Sequence, residues 1–567
     1  MHIDVVPNRG SRPAYLLRES FRDGSKVRKR TLANLSSLGD DQVEAIRRVL
    51  RGERLAPITD LFEVVSSRIH GDTHAVLAAM KRLRIRELLS SRPSWEADVV
   101  MGMLAARLVA PHTKLATTRW WHTHTLPEDL RIGHAKEDDL YQAMDWLLDH
   151  QATIEKKLAA RHLEDGSLAL YDLSSSYFEG KTCPLAAIGH NRDGKRNKLQ
   201  VNYGLLTDRR GCPVAVSVYE GNTGDAKTLM PQVEKLKNDF GLERVVLVGD
   251  RGMIGQAAVN DLRNIAGLEW ITALKSSQIR ALVEGGALQL GLFDKRNLFE
   301  LTHPDYPGER LMACRNVELG KLRAHKRQSL IEATVKELEK VRAMVERGDL
   351  LGAGKIGVRA GRVVNKYKVA KHFELTIDDA HCDFVLRKEN VVAEAALDGI
   401  YVIRTSLSKG QMSTADTVRS YKSLAEVERA FRTLKTVDLE IRPIHHRLAN
   451  RVRAHIFLCM LAYYVEWHMR EAWRPLLFAD EDLAAKATRD PVAPAKRSAA
   501  AIEKVVTKTL PDGSPAHSFR SLVEDLSTIV RNTCRAPGTP KAPTFTVVTT
   551  PTAAQQRAMD LLEKITA

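Results

Sequence analysis

Two apolar runs end in a carboxylate: Leu168-Ala-Leu-Tyr-Asp172 and Val245-Val-Leu-Val-Gly-Asp250. Each run places an acid where a buried strand meets solvent, and an acid at that point either caps a turn or serves chemistry. A third acid, Glu428, lies in the segment Tyr421 to Lys435, where Leu424, Val427, Phe431 and Leu434 form one apolar helical stripe. Tyr421, Glu428 and Lys435 recur every seven residues, so at ~100° per residue they drift only ~20° per step and line one edge of that stripe. A carboxylate there can reach the end of a sheet with an aromatic and a cation beside it, which suits a phosphate backbone approaching a metal. The basic continuation Arg442, His445, His446, Arg447, Arg451 and Arg453 favours this reading over a solvated helix with incidental charges. Between the first two strands, residues 189–198 carry Arg192, Lys195, Arg196 and Lys198, which read as a phosphate-contacting loop or as a solvated hairpin tip.

Several elements must position these residues. An opening hairpin pairs Ala14 to Leu17 with the basic stretch Val27 to Leu32 across the turn Arg22-Asp-Gly-Ser25. Residues 40–165 show helical spacing, clearest in Val99 to Val109 and Leu140 to Leu158. Three strands follow at short spacing (Leu168 to Asp172, Leu199 to Leu206, Pro213 to Tyr219), which predicts an antiparallel meander. Helix near Ala226 to Asp239, strand Val245 to Val248, helix near Gln256 to Ile265 and strand Trp270 to Leu274 then predict a parallel addition to the same sheet. The rhythm breaks between 276 and 395. Residues 321–347 form a charged helix with Ile331, Val335, Leu338, Val341 and Val345 on one seam, fitted to a surface or a partner. Basic, strand-like pieces follow at Gly357 to Val369 and Phe373 to Ile377, and Gly399 to Thr405 resumes the sheet pattern. The tail, rich in Ala, Pro and Thr, holds one predicted helix near Ser518 to Arg531 and is expected to be mobile in part.

At 567 residues the chain exceeds one hydrophobic core. Lys and Arg outnumber Asp and Glu by 86 to 70, a net charge of +16, which favours a polyanionic partner. No run of 18 uncharged apolar residues occurs, and the first residues lack the basic start and apolar centre of a secretion signal. Neither membrane insertion nor secretion is therefore expected. The six cysteines are scattered without a Cys-x-x-Cys pair and read as reduced and structural, and His112, His122, His124 and His134 read as polar surface rather than a zinc site. Residues Gly352 to Gly357 match Gly-x-Gly-x-x-Gly, yet they follow a charged helix instead of a buried strand, so a flexible turn is expected rather than a dinucleotide site. No Walker motif is present.

The order and combination of these features resemble a DDE transposase of bacterial insertion sequences, in the IS-four superfamily. Its signature, Tyr-x2-Arg-x3-Glu-x6-Lys, is matched by Tyr421, Glu428 and Lys435, with Leu424 at the Arg position and Arg429 or Arg432 as the substitute. The resemblance runs from about Leu168 to Trp467 and includes Asp172-Leu-Ser-Ser-Ser-Tyr177, Gly221-Asn-Thr-Gly-Asp225 and Gly249-Asp-Arg-Gly252. It implies an α/β fold: an RNase H-like catalytic core, a mixed sheet flanked by helices, interrupted by a large insertion. The implied parts are an N-terminal hairpin plus helical domain for DNA end binding (1–165), the core's first part (166–275), the insertion (276–395), the core's second part (396–475) and a C-terminal region (476–567).

By the same resemblance, Asp172, Asp250 and Glu428 are the catalytic and metal-binding residues. They would hold two Mg²⁺ ions, with Mn²⁺ as a substitute and Asp172 as the bridge, for cleavage at element ends and strand transfer. Tyr421, Lys435, Arg429, Arg432, Arg192, Lys195, Arg196 and Lys198 are the expected DNA contacts. The implied partners are double-stranded DNA (element ends and target) and a second copy of the chain in the DNA complex, in the bacterial cytoplasm and on the nucleoid when bound. The rival readings are a nuclease on the same scaffold that cuts without joining, and a non-catalytic DNA-binding regulator. Three acids among phosphate-seeking cations count against the regulator, because without metal they repel DNA.

Overall fold

A computed structural model describes residues 1–53, 61–195, 197–537 and 541–566, with the backbone alone at Val437. The chain divides into two units, one of residues 1–68 with 530–550 and one of residues 69–529 with the C-terminal residues from Pro551.

In the smaller unit the expected hairpin is present, its strands Ser11–Asp23 and Lys26–Asn34 closing across Asp23 and Lys26. A strand not anticipated, His2–Asn8, pairs antiparallel with the first of them. The basic strand Lys26–Asn34 is exposed along its whole length. A second sheet orders Thr544–Val548, Val530–Arg535 and Glu63–Ile69 side by side, and Arg535 pairs with Glu63. The stretch Glu63–Ile69 was expected to be helical. It is a strand because Val64, Val65 and their neighbours gain partners from far along the chain, and such pairing leaves no local trace.

The larger unit begins with helices α1 (Gly71–Arg82), α2 (Trp95–Val109), α3 (Glu137–Asp149) and α4 (Gln151–His162). Its sheet contains β1 (Leu168–Tyr177), β2 (Gln200–Asp208), β3 (Pro213–Glu220), β4 (Val245–Val248), β5 (Leu268–Ala273), β6 (Leu298–Leu301), β7 (Arg310–Arg315) and β8 (Ile400–Thr405). The order is β6-β7-β8-β5-β4-β1-β2-β3. Strands β1, β2 and β3 form the predicted antiparallel meander. The alternation that follows adds β4 and β5 in parallel, as expected, and β8 returns antiparallel to β5. Opposite Leu173, Gly204 of β2 gives room to the ring of Tyr171: a Cβ there would lie 2.1 Å from the tyrosine hydroxyl.

Strands β6 and β7 fall inside the segment expected to interrupt the core, yet they extend its sheet through β8. Ile279, Leu282, Leu288 and Phe293 pack onto the same strands with Leu311 and Val402, while the part from Leu330 to Val391 builds its own core. Helix α5 (Val317–Glu346) buries Ile331, Leu338, Val341 and Val345 against Ile356, Ala360 and Val364 of α6 (Ala353–Tyr367). The strand-like reading of Gly357 to Val369 is therefore corrected, and so is the flexible turn at Gly352 to Gly357. Basic residues masked an i, i+4, i+8 apolar stripe, which makes this stretch a helix capped by Gly352 at φ 92°. Phe373–Ile377 is a strand as expected and pairs with Cys382–Leu386.

The segment around Glu428 comprises α7 (Thr414–Lys422) and α8 (Leu424–Arg432), followed by a π-helical turn at Thr433–Val437. Helix α9 (Ala449–Ala472) is buried on nearly every face. It packs against α2, α3 and β3, so Leu104, Leu147 and Leu158 share one apolar core with Leu170, Leu205 and Phe457. A helix apolar all round needs cover on all sides, and this ties the helical stretch α1–α4 to the sheet. No described helix is long and apolar enough to cross a membrane.

Candidate active site

Strand β1 lies between β4 and β2, and its register with β4 pairs Leu170 with Val248. Asp172, inside β1, and Asp250, two residues past the end of β4, therefore stand at the same level on adjacent parallel strands, which run about 4.8 Å apart. Backbone donors fix both carboxylates. Leu173 N–H donates to Asp172 Oδ1 at 2.8 Å, while Gly252 and Met253 N–H donate to Asp250 Oδ1 at 3.0 and 2.8 Å. Helix α8 packs on β1 by burying Val427, Ala430 and Phe431, with Phe431 edge-on to Tyr203 at 5.8 Å. Glu428, one residue after Val427 and three before Phe431, is exposed beside this packed face.

These placements bring Asp172, Asp250 and Glu428 to one cavity of about 350 Å³, which Ser174, Phe431, Arg192, Asp225, Arg432 and Lys435 also line. Burial pushes the Asp172 carboxyl up to about 7. The negative charges of Asp250 and Glu428 push the same way, and the Leu173 N–H and the Arg192 guanidinium oppose them. Tyr421 stands close enough that burial and then the same acids raise its hydroxyl to about 12. The carboxylates thus crowd one another, and their donor set, all oxygen and net negative, fits a hard divalent cation.

The other expected site residues divide by position. Arg192 reaches into the cavity and pairs with Asp225. Lys435 is buried, donates to Asp193 Oδ1 at 3.0 Å and borders a second cavity of about 290 Å³ with Tyr177, Lys195 and Arg442. Lys195 Nζ lies 5.9 Å from the centre of the Tyr177 ring, and Lys198 pairs with Glu179 at 3.2 Å on the surface. Arg196 lies outside the described residues. Of the two substitutes for the missing signature Arg, Arg432 faces the acids, whereas exposed Arg429 pairs with Glu426 on its own helix. Leu424, at the signature Arg position, packs against the core.

Two acids given no role in the sequence line up with the site. Asp225 lies at the end of the Gly221-Asn-Thr-Gly-Asp225 loop, and its Oδ2 comes within 3.8 Å of where a Cβ on Gly252 would stand, beside the Asp250 carboxylate. Asp193 holds Lys435 and Arg442 together and accepts from Tyr177 N–H at 3.0 Å. Both sit in polar loops with no apolar run to mark them. His112, His122, His124 and His134 form no metal-ligand group among the described residues: His134 stacks on Trp95 at 4.3 Å, and His124, buried where a surface position was expected, lies tilted against Trp120 at 4.1 Å and meets Asp72 at 3.2 Å. All six cysteines are free and buried.

No curated protein matches the sequence. Among solved structures, a piggyBac transposase synaptic complex with hairpin DNA is similar at 8% identity and a TM-score of 0.34, covering 80% of this chain and 77% of that one. A Mos1 transposase paired-end complex with left transposon end shows 11% identity and a TM-score of 0.15 over 34% of this chain and 62% of that one. The family model for the IS1634 family transposase N-terminal domain matches residues 3–57. The model for the transposase DDE domain matches residues 178–465, a span that contains Asp250 and Glu428 and begins just after the strand that carries Asp172. With half its length in that match, the chain belongs to the DDE transposase family.

Proposed function

We propose that this chain cuts DNA at the ends of an insertion sequence and joins the freed ends to target DNA, with Asp172, Asp250 and Glu428 as its catalytic carboxylates. The observation that carries this reading is the convergence of the three acids, from two adjacent strands and one helix, on a single cavity rimmed by Arg192, Arg432 and Lys435. The acids would hold Mg²⁺, or Mn²⁺ in its place, and when bound the ions supply the Lewis acid that a phosphodiester displacement needs. The protein's own part is positional. Backbone N–H groups pin Asp172 and Asp250, the rigid sheet sets their spacing, and Arg192 and Arg432 draw a phosphate toward them.

The strand order β3-β2-β1-β4-β5 with β1 and β4 parallel supports an RNase H-like core. The exposed basic strand Lys26–Asn34 supports a role for the N-terminal segment in holding element ends. Joining two ends in concert calls for a second copy of the chain on the DNA, working in the bacterial cytoplasm and on the nucleoid.

The deciding experiment follows labelled element-end DNA with Mg²⁺ in wild type and in Asp172→Ala, Asp250→Ala and Glu428→Ala. Wild type is expected to cut and join, and each variant to bind with unchanged affinity and do neither. Cutting without joining would make the protein a nuclease, and binding without cutting would make it a regulator. Activity that survives any one substitution would mean that acid is misassigned.

A further inference from the structure

Away from the carboxylates, three potential metal ligands from three separate elements come together. His162 ends α4, Cys212 sits in the turn between β2 and β3, and His468 projects from α9. Cys212 Sγ lies 4.0 Å from His162 Nε2 and 3.8 Å from His468 Nε2, and the three ligand atoms all lie within 4.8 Å of one another. No other group of this kind occurs among the described residues. A tetrahedral Zn²⁺ with a bond of about 2.3 Å to sulfur and about 2.0–2.1 Å to nitrogen sets the S···N edges near 3.6 Å. The observed edges are longer by only a few tenths of an ångström, within the reach of side-chain adjustment.

The elements around the set hold its members in place. The turn that presents Cys212 is fixed by buried Asp208, which accepts from the backbone N–H of Cys212 at 3.0 Å and of Arg210 at 2.8 Å. The Tyr464 hydroxyl stands 3.0 Å from His162 Nε2 and puts an oxygen beside the set.

We propose that His162, Cys212 and His468 form a Zn²⁺ site that clamps the β2–β3 turn to α4 and α9. Binding breaks the Cys212 S–H bond, forms a zinc–thiolate bond and releases one proton to solvent.

The test uses full-length, untagged protein stripped with a chelator and titrated with Co²⁺ as a spectroscopic stand-in, then with Zn²⁺. Wild type is expected to show a thiolate-to-cobalt charge-transfer absorption that saturates at one Co²⁺ per chain in this site and that Zn²⁺ abolishes. Cys212→Ser is expected to lose that absorption, and His162→Gln to weaken Co²⁺ binding at least tenfold. One equivalent of Zn²⁺ should raise the Tm of wild type by more than that of Cys212→Ser, which keeps only the carboxylates to hold it. Cobalt held at Asp172, Asp250 and Glu428 gives no thiolate band, so the two metal sites are read separately. A wild type without the band, or a band that persists in Cys212→Ser, overturns the proposal, and the wild-type spectrum decides the matter even if a variant fails to fold.

Discussion

Lys435 and Asp193 form an ion pair at 3.0 Å in which the carboxylate is only 2% exposed, and Arg442 reaches the same carboxylate oxygen. Lys435 is thus a strut between the end of the α8 segment and the loop that carries Arg192. An approaching phosphate would compete with Asp193 for it.

Removing the acid strands two cations in a buried setting, whereas removing Lys435 leaves Asp193 with Arg442 and the Tyr177 N–H. Asp193→Ala is therefore expected to cost about 3–5 kcal/mol, the range for breaking a buried pair from one side. Lys435→Ala should cost clearly less. Urea unfolding of both variants checks this, and equal losses would mean that Asp193 is not the shared anchor.

Asp172 gives a pH signature of its own. Its carboxyl titrates near 7 in the folded protein, chiefly through burial, against 3.8 as the ordinary value. Between those values the folded state binds more protons than the unfolded state, so this group's contribution to stability is present below about pH 4 and is lost as the pH rises through about 7. In chelator, the urea midpoint of Asp172→Asn should fall less than that of wild type between pH 4.5 and 7.5, and Mg²⁺ should flatten the wild-type profile. Parallel profiles for the two proteins in chelator would remove the basis for a strained, metal-seeking carboxylate. Since protons compete with metal at this oxygen, DNA cleavage should also decline as the pH falls below about 7.

The three acids that share the cavity stood out in the sequence because Asp172 and Asp250 each close an apolar run and Glu428 rides an amphipathic helix, patterns written within ten residues. What escaped depends on distant partners. Glu63–Ile69 is a strand only because the tail supplies Val530–Arg535, and β6 and β7 are short pieces whose membership depends on β8. Helix α6 hid its stripe of Ile356, Ala360 and Val364 among lysines and arginines. Asp193 and Asp225 were unreadable for another reason: a polar residue in a polar loop acquires a role only when the fold brings Lys435 or Arg192 to it.

The two arginines of α8 should behave differently. Arg432 faces the acids, while Arg429 is engaged with Glu426 on the exposed side. If Arg432 meets a phosphate, Arg432→Ala should reduce the slope of log K against log salt for DNA binding by about 0.9, the release expected for one neutralised phosphate. Arg429→Ala should leave the slope unchanged and alter stability by no more than about 0.5 kcal/mol. A lost slope in Arg429→Ala alone would move the DNA path to the other face of the helix.

Gly204 tests the sheet beneath the site. Its partner across the ladder is Leu173, next to Asp172, and the Tyr171 ring carbons would lie 2.6 Å from an added Cβ, with the hydroxyl at 2.1 Å. Tyr171 is fully buried and cannot swing into solvent, so Gly204→Ala forces β1 and β2 to shift or the ring to leave its rotamer. The expected cost is about 1–3 kcal/mol, as for other overpacked cores. Because the displaced strand also carries Asp172, cleavage should fall more steeply than the remaining folded fraction accounts for. Urea unfolding together with a cleavage assay at a temperature where the variant is folded separates the two effects. A destabilised variant with wild-type cleavage would show that the β1–β2 register does not set the position of Asp172.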